Sequence, residues 1–288
     1  MIIPNQYSDF EACRLINKKY GKSYYFATYF FPRDLKQATY SLYAFFRLPD
    51  EIVDSQGLKE SDLVMNELQS FKQEWKSAYN TGESNNPVFR ATAFTFKKYN
   101  IPFEYSEVFL DSMIQDVDTN RYATYKDLEG YMYGSAAVVG IMMSYVIGFS
   151  DKQALIYAEK LGYAMQVTNF LRDIKEDYKE RNRIYMPQQD LLRFGLDEND
   201  IAQEKMSENF INFMKFQIDR ARGLYEEADK GIAMLSRRGR FAVRIASVLY
   251  GNILYEIEKQ EYNVYKKRAR VSFVKKIYLL IKTILKLQ

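Results

Sequence analysis

The sequence predicts an all-α fold: one helical domain of 288 residues with enough aromatic surface to line a long apolar cavity. Chain breakers are scarce, with 6 Pro and 13 Gly. Apolar residues recur at helical rather than alternating spacing. No Pro-, Gly- or Ser-rich stretch divides the chain, so residues 1–288 read as a single large domain. An apolar content of 47%, with 25 Tyr and 20 Phe, supplies a substantial core.

The elements follow in order. Ser8 to Tyr20 reads as a first helix, and Ser23 to Phe31 as an aromatic-rich segment stopped by Pro32. Asp34 is the expected N-cap of a helix running through Tyr43, Phe46 and Arg47 to Asp54. Pro49 lies inside that pattern, where its ring removes a hydrogen bond and predicts a kink. Ser61 to Tyr79 is amphipathic and ends at Thr81-Gly82. Asn86-Pro87 and Ile101-Pro102 open helices to Tyr99 and about Asp118. Thr124 with Asp127 forms a capping-box pattern ahead of an apolar helix to Phe149. Asp151 starts the next helix, and a polar loop spans Lys179 to Pro187. Long helices are expected from Ser207 to Ser236 and from Arg237 to Gln260, with a last one after Val271.

Composition removes several chemistries. The chain has no His, which excludes His metal sites, Ser-His-Asp triads and His general bases. The one cysteine, Cys13, excludes an internal disulfide and a Cys-based metal cluster. Any metal must therefore bind oxygen. The first residues, Met-Ile-Ile-Pro-Asn-Gln, lack the basic and apolar regions of a signal peptide. The longest apolar stretch, Ala136 to Phe149, is short for a bilayer span. The expected location is cytoplasmic.

Two acidic motifs stand out: Asp50-Glu51-Ile52-Val53-Asp54 and Asn169-Phe170-Leu171-Arg172-Asp173-Ile174-Lys175-Glu176-Asp177. Each pairs two Asp at i and i+4, on one helical face. Like charges repel there, and a hard divalent cation bridging to a phosphate offsets the repulsion. Mg²⁺ is commonly held by one or two carboxylates plus substrate phosphates. In the second motif the stripe extends back through Asn169 to Gln166. The preceding helix face is largely apolar (Ala154, Leu155, Tyr157, Ala158, Leu161, Ala164, Met165), so the stripe is expected to continue into a buried interior. Arg47 and Arg172 are placed to contact phosphate oxygens; a salt bridge from Arg172 to Glu176 is the structural alternative. Arg181 to Tyr185, including Arg183, reads as a flap over a diphosphate. Gly134 and Gly140 inside a helix imply close packing, a break or room for a ligand.

With these motifs in place, the chain resembles the squalene/phytoene synthase family along nearly its whole length. The resemblance rests on Lys22-Ser23, Tyr43-Ala44-Phe45-Phe46-Arg47 with the first motif, Tyr131 to Gly140, Gln166 to Asp177, and Arg183-Ile184-Tyr185 with Pro187. Its wording is most similar to bacterial phytoene synthases. The resemblance implies the isoprenoid synthase fold and head-to-head condensation of two prenyl diphosphates through a cyclopropylcarbinyl diphosphate. It implies Mg²⁺, with Mn²⁺ as a substitute, on Asp50, Asp54, Asn169, Asp173 and Asp177. Arg47, Arg172, Tyr185 and Arg268 look like diphosphate contacts. Ser23, Tyr131, Gln166, Asn169 and Tyr250 look like pocket residues, with Tyr131 catalytic. Two geranylgeranyl diphosphates would give phytoene. Two farnesyl diphosphates would give dehydrosqualene, or squalene where NADPH reduces the last cation. A small Thr28 favours the C40 product.

Net charge is +4, yet Tyr262 to Gln288 holds eight basic residues (Lys266, Lys267, Arg268, Arg270, Lys275, Lys276, Lys282, Lys286) and no acid. The body is therefore acidic, and no nucleic-acid partner is expected. Residues 271–288 read as a basic amphipathic helix suited to peripheral membrane contact.

Overall fold

The computed structural model describes residues 4–55 and 60–286. Residues 1–3 of the expected domain and residues 287 and 288 of the expected last helix lie outside them. Among the described residues there are no strands, only two isolated bridges, Arg121 with Ile184 and Phe149 with Leu235. The helices are α1 (Pro4–Tyr20), α2 (Lys22–Thr28), α3 (Arg33–Asp54), α4 (Ser61–Thr81), α5 (Pro87–Tyr99), α6 (Glu104–Asp118) and α7 (Tyr125–Met132). A π-helical turn (Tyr133–Ala137) joins α7 to α8 (Val138–Ile147). There follow α9 (Gln153–Arg181), α10 (Gln188–Arg193), α11 (Glu198–Ala202), α12 (Glu208–Ile232), α13 (Arg237–Lys259) and α14 (Phe273–Lys286).

Local chemistry explains most boundaries. Asn86 accepts a hydrogen bond from the Val88 N–H, and Thr124 and Asp127 close the expected capping box. Gly82 ends α4 in the left-handed region at φ 79°. Asp34 is not the N-cap of α3. Pro32 holds that position, and Asp34 sits in the first turn, where its carboxylate favours the helix dipole and accepts a 2.8 Å hydrogen bond from Arg238. Pro49 does not break α3. The helix runs through it to Asp54, held by buried Leu42, Phe45, Pro49 and Val53.

The apolar segment from Tyr125 is one 23-residue helical unit, not a short stretch, and is long and apolar enough to cross a membrane. Its surroundings decide its role. Tyr131, Met132, Ala137, Val138 and Met142 are buried within the bundle, so it is a core wall. Its glycines mark close packing. A Cβ on Gly134 would lie 2.6 Å from the Ser112 Cβ, and one on Gly140 would lie 2.5 Å from the Ala158 carbonyl oxygen of α9. The π turn lies in this tight zone, and π turns often accompany functional sites.

One core cluster surrounds Phe45, Trp75, Phe96 and Phe109; a second surrounds Tyr131, Phe170, Phe213 and Met214. A cavity of about 840 Å³ is lined by residues from α2, α3, α6, the α7–α8 unit, α9, α12 and α13. That is near the upper end of ordinary ligand sites.

Candidate active site

The two acidic motifs meet in this cavity. From α3 come Arg47, Asp50 and Asp54; from α9 come Gln166, Asn169, Arg172, Asp173 and Asp177, and all eight line it. The α9 stripe faces inward because the remaining faces of that helix are packed: Ala164, Val167, Thr168, Leu171 and Ile174 are buried. The side chains of Asp173 and Asp177 are 12% and 15% exposed, so they are not a solvated face. Arg181 joins the motifs. Its Nε lies 2.7 Å from Asp54 and its Nη1 lies 3.5 Å from Asp177. One guanidinium therefore reaches carboxylates of both helices.

The other cations distribute around this bridge. Arg47 pairs with Asp50 and Glu51 and lies over the Tyr20 ring. Arg172 forms a fork with its neighbour Asp173, so the alternative pairing with Glu176 does not form. Arg268 reaches in from the loop after α13, 2.8 Å from Asp173 and 3.2 Å from Glu176. Six carboxylates (Asp50, Glu51, Asp54, Asp173, Glu176, Asp177) thus face four guanidiniums. Burial, with the neighbouring carboxylates second, disfavours ionisation here. Enclosure by the protein, with the Asp54 charge beside it, pushes Asp50 up to about 6. The Asp50 side chain is 44% exposed, so solvent in the cavity moderates this. Burial and the Asp173 charge hold Asp177 well above the usual carboxylate range.

Below the motifs lies a buried polar cluster centred on Asp116 of α6. The Tyr185 hydroxyl donates to its carboxylate at 3.1 Å, and Arg183 lies 3.2 Å away. Arg183 also donates to the Asp116 backbone carbonyl at 2.9 Å. Burial pushes Asp116 up to about 6 against the pull of Arg183, Tyr185 and Tyr131. The rings stack here: Phe170 on Tyr185 at 4.1 Å, and Tyr185 on Tyr131 at 5.7 Å.

All the expected site residues line this one cavity: Ser23, Arg47, Asp50, Asp54, Tyr131, Gln166, Asn169, Arg172, Asp173, Asp177, Arg183, Tyr185, Tyr250 and Arg268. The flap reading of Arg183 needs correction. Arg183 is 3% exposed and bound to Asp116, so it anchors the loop rather than covering an open mouth. Tyr185 is likewise tied to Asp116. Sequence reasoning missed Asp116 and read Arg181 only as the start of the flap, not as a bridge between the motifs. Asp116 shares the inner face of α6 with Phe109 and Met113, and a lone acid on an apolar stripe is the signal that was available. Arg181 falls one helical turn after Asp177, on the same face.

The donor set suits a hard divalent cation. All groups offered are oxygen donors, the carboxylates exceed the arginines, and the Asn169 Oδ1 is buried without a hydrogen-bond partner. Among the described residues no three acidic side chains converge tightly enough to hold a metal alone. Each motif offers one pair of Asp carboxylates on the cavity-facing stripe, so a bound diphosphate must supply further ligands.

The sequence profile of the squalene/phytoene synthase family matches residues 17–275. The chain is similar to the 15-cis-phytoene synthase of Synechococcus elongatus, with 32% identity over 93% of this chain and 90% of that protein. It is similar to the phytoene synthase of Arthrospira platensis, with 34% identity over 94% and 91%. Among solved structures, a dehydrosqualene synthase in complex with a ligand superposes with a TM-score of 0.88 at 29% identity, covering 98% of both chains. A squalene synthase from Alicyclobacillus acidocaldarius gives a TM-score of 0.81 at 28% identity, over 91% of this chain and 97% of that one.

Proposed function

The chain belongs to the squalene/phytoene synthase family and is a prenyltransferase acting on prenyl diphosphates, and from that premise we propose that it joins two geranylgeranyl diphosphates head to head to give phytoene. The observation that carries the reading is the Arg181 bridge, which holds the Asp54 and Asp177 motifs around one cavity. When bound at Asp50, Asp54, Asn169, Asp173 and Asp177, Mg²⁺ (or Mn²⁺) would supply Lewis-acid neutralisation of the diphosphate.

The protein's own groups do the rest. Arg47, Arg172, Arg181 and Arg268 receive the negative charge that develops as the first C–O bond breaks. The double bond of the second substrate attacks the resulting allyl cation, and loss of a proton closes the ring of a cyclopropylcarbinyl diphosphate. Its C–O bond then breaks, the carbon skeleton rearranges, and a second proton is lost. The stacked Phe170, Tyr185 and Tyr131 rings offer π-faces to cationic carbon. Apolar lining from Phe31, Ile147, Leu235 and Ala242 keeps water from the cations. With no His in the chain, the proton passes to released diphosphate or to a polar side chain such as Tyr131.

Similarity to dehydrosqualene synthase favours a second reading, a C30 product from farnesyl diphosphate, with NADPH needed only for squalene. The phytoene synthase relatives and the small Thr28 in the cavity wall support the C40 reading. We place the enzyme in the cytoplasm, because a charged diphosphate does not cross a bilayer unaided. Diphosphate release tests the choice. The reading expects kcat/KM for geranylgeranyl diphosphate to exceed that for farnesyl diphosphate, and the reverse order would favour the C30 enzyme.

A further inference from the structure

Among the described residues, three of the four guanidiniums that face the acidic motifs are fixed by helices: Arg47 by α3, and Arg172 and Arg181 by α9. Arg268 comes from non-helical chain, the strap of residues 260–272 between α13 and α14. Its side chain is also the most open, 39% exposed against 26%, 15% and 19% for the other three. Yet its Nε lies 2.8 Å from Asp173 and its Nη1 lies 3.2 Å from Glu176. A segment without helical hydrogen bonds keeps such a position only where other contacts fix it.

Apolar anchors do part of this. Val264, Tyr265 and Ala269 are buried, and the Tyr265 ring lies 5.0 Å from that of Phe210 on α12. Glu261 and Tyr262 turn the chain out of α13 through the left-handed region, at φ 52° and 63°. The polar tie comes from the outer side of α9. The Lys175 ammonium donates to the Tyr265 backbone carbonyl at 2.8 Å and to the Glu204 carboxylate at 3.0 Å. Glu204 follows α11, is itself in the left-handed region at φ 52°, and pairs with Lys179 as well. Lys175 lies two residues beyond Asp173, about 200° round the helix. The strap is therefore gripped from two sides of α9: outside by Lys175 on Tyr265, and inside by Asp173 and Glu176 on Arg268, three residues on.

Stability alone does not account for this arrangement. The Lys175 side chain is 41% exposed, and an ion pair of that kind contributes at most about 1 kcal/mol. Lys175 is not among the residues lining the cavity, so it does not meet a ligand there itself. Its bond to Tyr265 instead fixes the backbone just before Arg268, and a displacement of about 1 Å in such a group can change a rate by about a hundredfold.

We propose that Lys175 is a positioning residue: held by Glu204, it pins the strap at the Tyr265 carbonyl and so sets Arg268 where the diphosphate of the substrate is received. The role of Arg268 toward a diphosphate rests on the proposed function; the pinning of the strap does not.

The test uses full-length Lys175→Met, Lys175→Arg, Arg268→Gln and the double variant Lys175→Met/Arg268→Gln. Affinity for inorganic diphosphate in Mg²⁺ is measured by calorimetry, kcat/KM by diphosphate release, and amide exchange of residues 264–269 by mass spectrometry. Lys175→Met should weaken diphosphate binding and lower kcat/KM, each by about tenfold, and should speed exchange at 264–269 with circular dichroism unchanged. Lys175→Arg keeps the charge and the donors and should recover most of the loss. The double variant should be no worse than Arg268→Gln, because a residue that acts only through Arg268 then has nothing left to position. Glu204→Gln should reproduce the Lys175→Met pattern at smaller size, which keeps the test intact if Lys175→Met folds poorly. Losses that add in the double variant overturn the proposal, as does unchanged exchange at 264–269 in Lys175→Met. A wild type that binds no diphosphate and releases none from any prenyl diphosphate overturns the proposed function instead, while the exchange rates still decide the pinning.

Discussion

Replacing Arg181 with Met should destabilise the substrate-free protein much more than the loaded one. Its guanidinium lies 2.7 Å from Asp54, 3.5 Å from Asp177 and 3.6 Å from Glu176. The four side chains are 19%, 24%, 15% and 32% exposed, so solvent screens them only partly. At an effective dielectric of about 20, a single pair at 4 Å interacts by about 4 kcal/mol. Desolvation of the arginine returns much of the gross sum, and breaking a fully buried pair typically costs about 3–5 kcal/mol. For a cluster open to a cavity on one side, a net loss of about 2–3 kcal/mol follows from those limits. In a chain of this length that lowers Tm by roughly 3–5 °C. The variant also leaves Asp177, already held above the usual carboxylate range, without its cation. Melting curves in EDTA and in Mg²⁺ with inorganic diphosphate provide the assay. The loss should appear in EDTA and largely disappear with both ligands, since a divalent cation takes over the neutralising role. An equal loss in both conditions would mean that Arg181 is only a packing residue. No loss in either would refute the electrostatic account of the site.

Further outcomes follow from the same geometry. Asp116→Asn should lower kcat, because Tyr185 and Tyr131 lose their carboxylate anchor; steady-state kinetics check it. The pH dependence has a definite sign: Asp116 is raised to about 6 in the fold, above its unfolded value near 3.9. Its contribution is therefore full below about pH 4 and is lost as pH rises through about 6, amounting to about 3 kcal/mol. Wild-type Tm relative to Asp116→Asn should accordingly fall between pH 4.5 and 7 in metal-free buffer; a flat difference would argue against it. Thr28→Phe should shorten the preferred substrate, because Thr28 is buried and lines the cavity, and an unchanged product length counts against that role. Gly140→Ala should lower Tm by several degrees, because the new methyl meets a backbone carbonyl at 2.5 Å rather than a movable side chain.

The parts legible in the sequence share a physical reason: each is a local pattern. The capping box at Thr124 and Asp127, the Asn86-Pro87 start and the Gly82 stop are decided within a few residues. The Gln166–Asp177 stripe was readable because helical spacing alone puts those residues on one face, and the apolar remainder of α9 fixes which way it points. What escaped depends on partners distant in sequence. The π turn lies where Gly134 packs on Ser112 and Gly162 of α9 packs on Ala136 and Ala137. Arg183 reads as a mobile flap until Asp116, 67 residues away, is seen to bury it. Arg172 turns to Asp173, while Glu176 pairs with Arg268, 92 residues on. Even α14, whose amphipathic pattern was plain, needed the Lys276–Ser23 contact to connect it with the cavity.

Product identity tests the central claim most directly. Purified protein would be incubated with Mg²⁺ and either geranylgeranyl or farnesyl diphosphate, with and without NADPH, and the extracted hydrocarbon identified by mass spectrometry. The account predicts C40 phytoene from geranylgeranyl diphosphate, independent of NADPH and abolished by EDTA. A C30 hydrocarbon as the preferred product, or no hydrocarbon from either substrate, would contradict it.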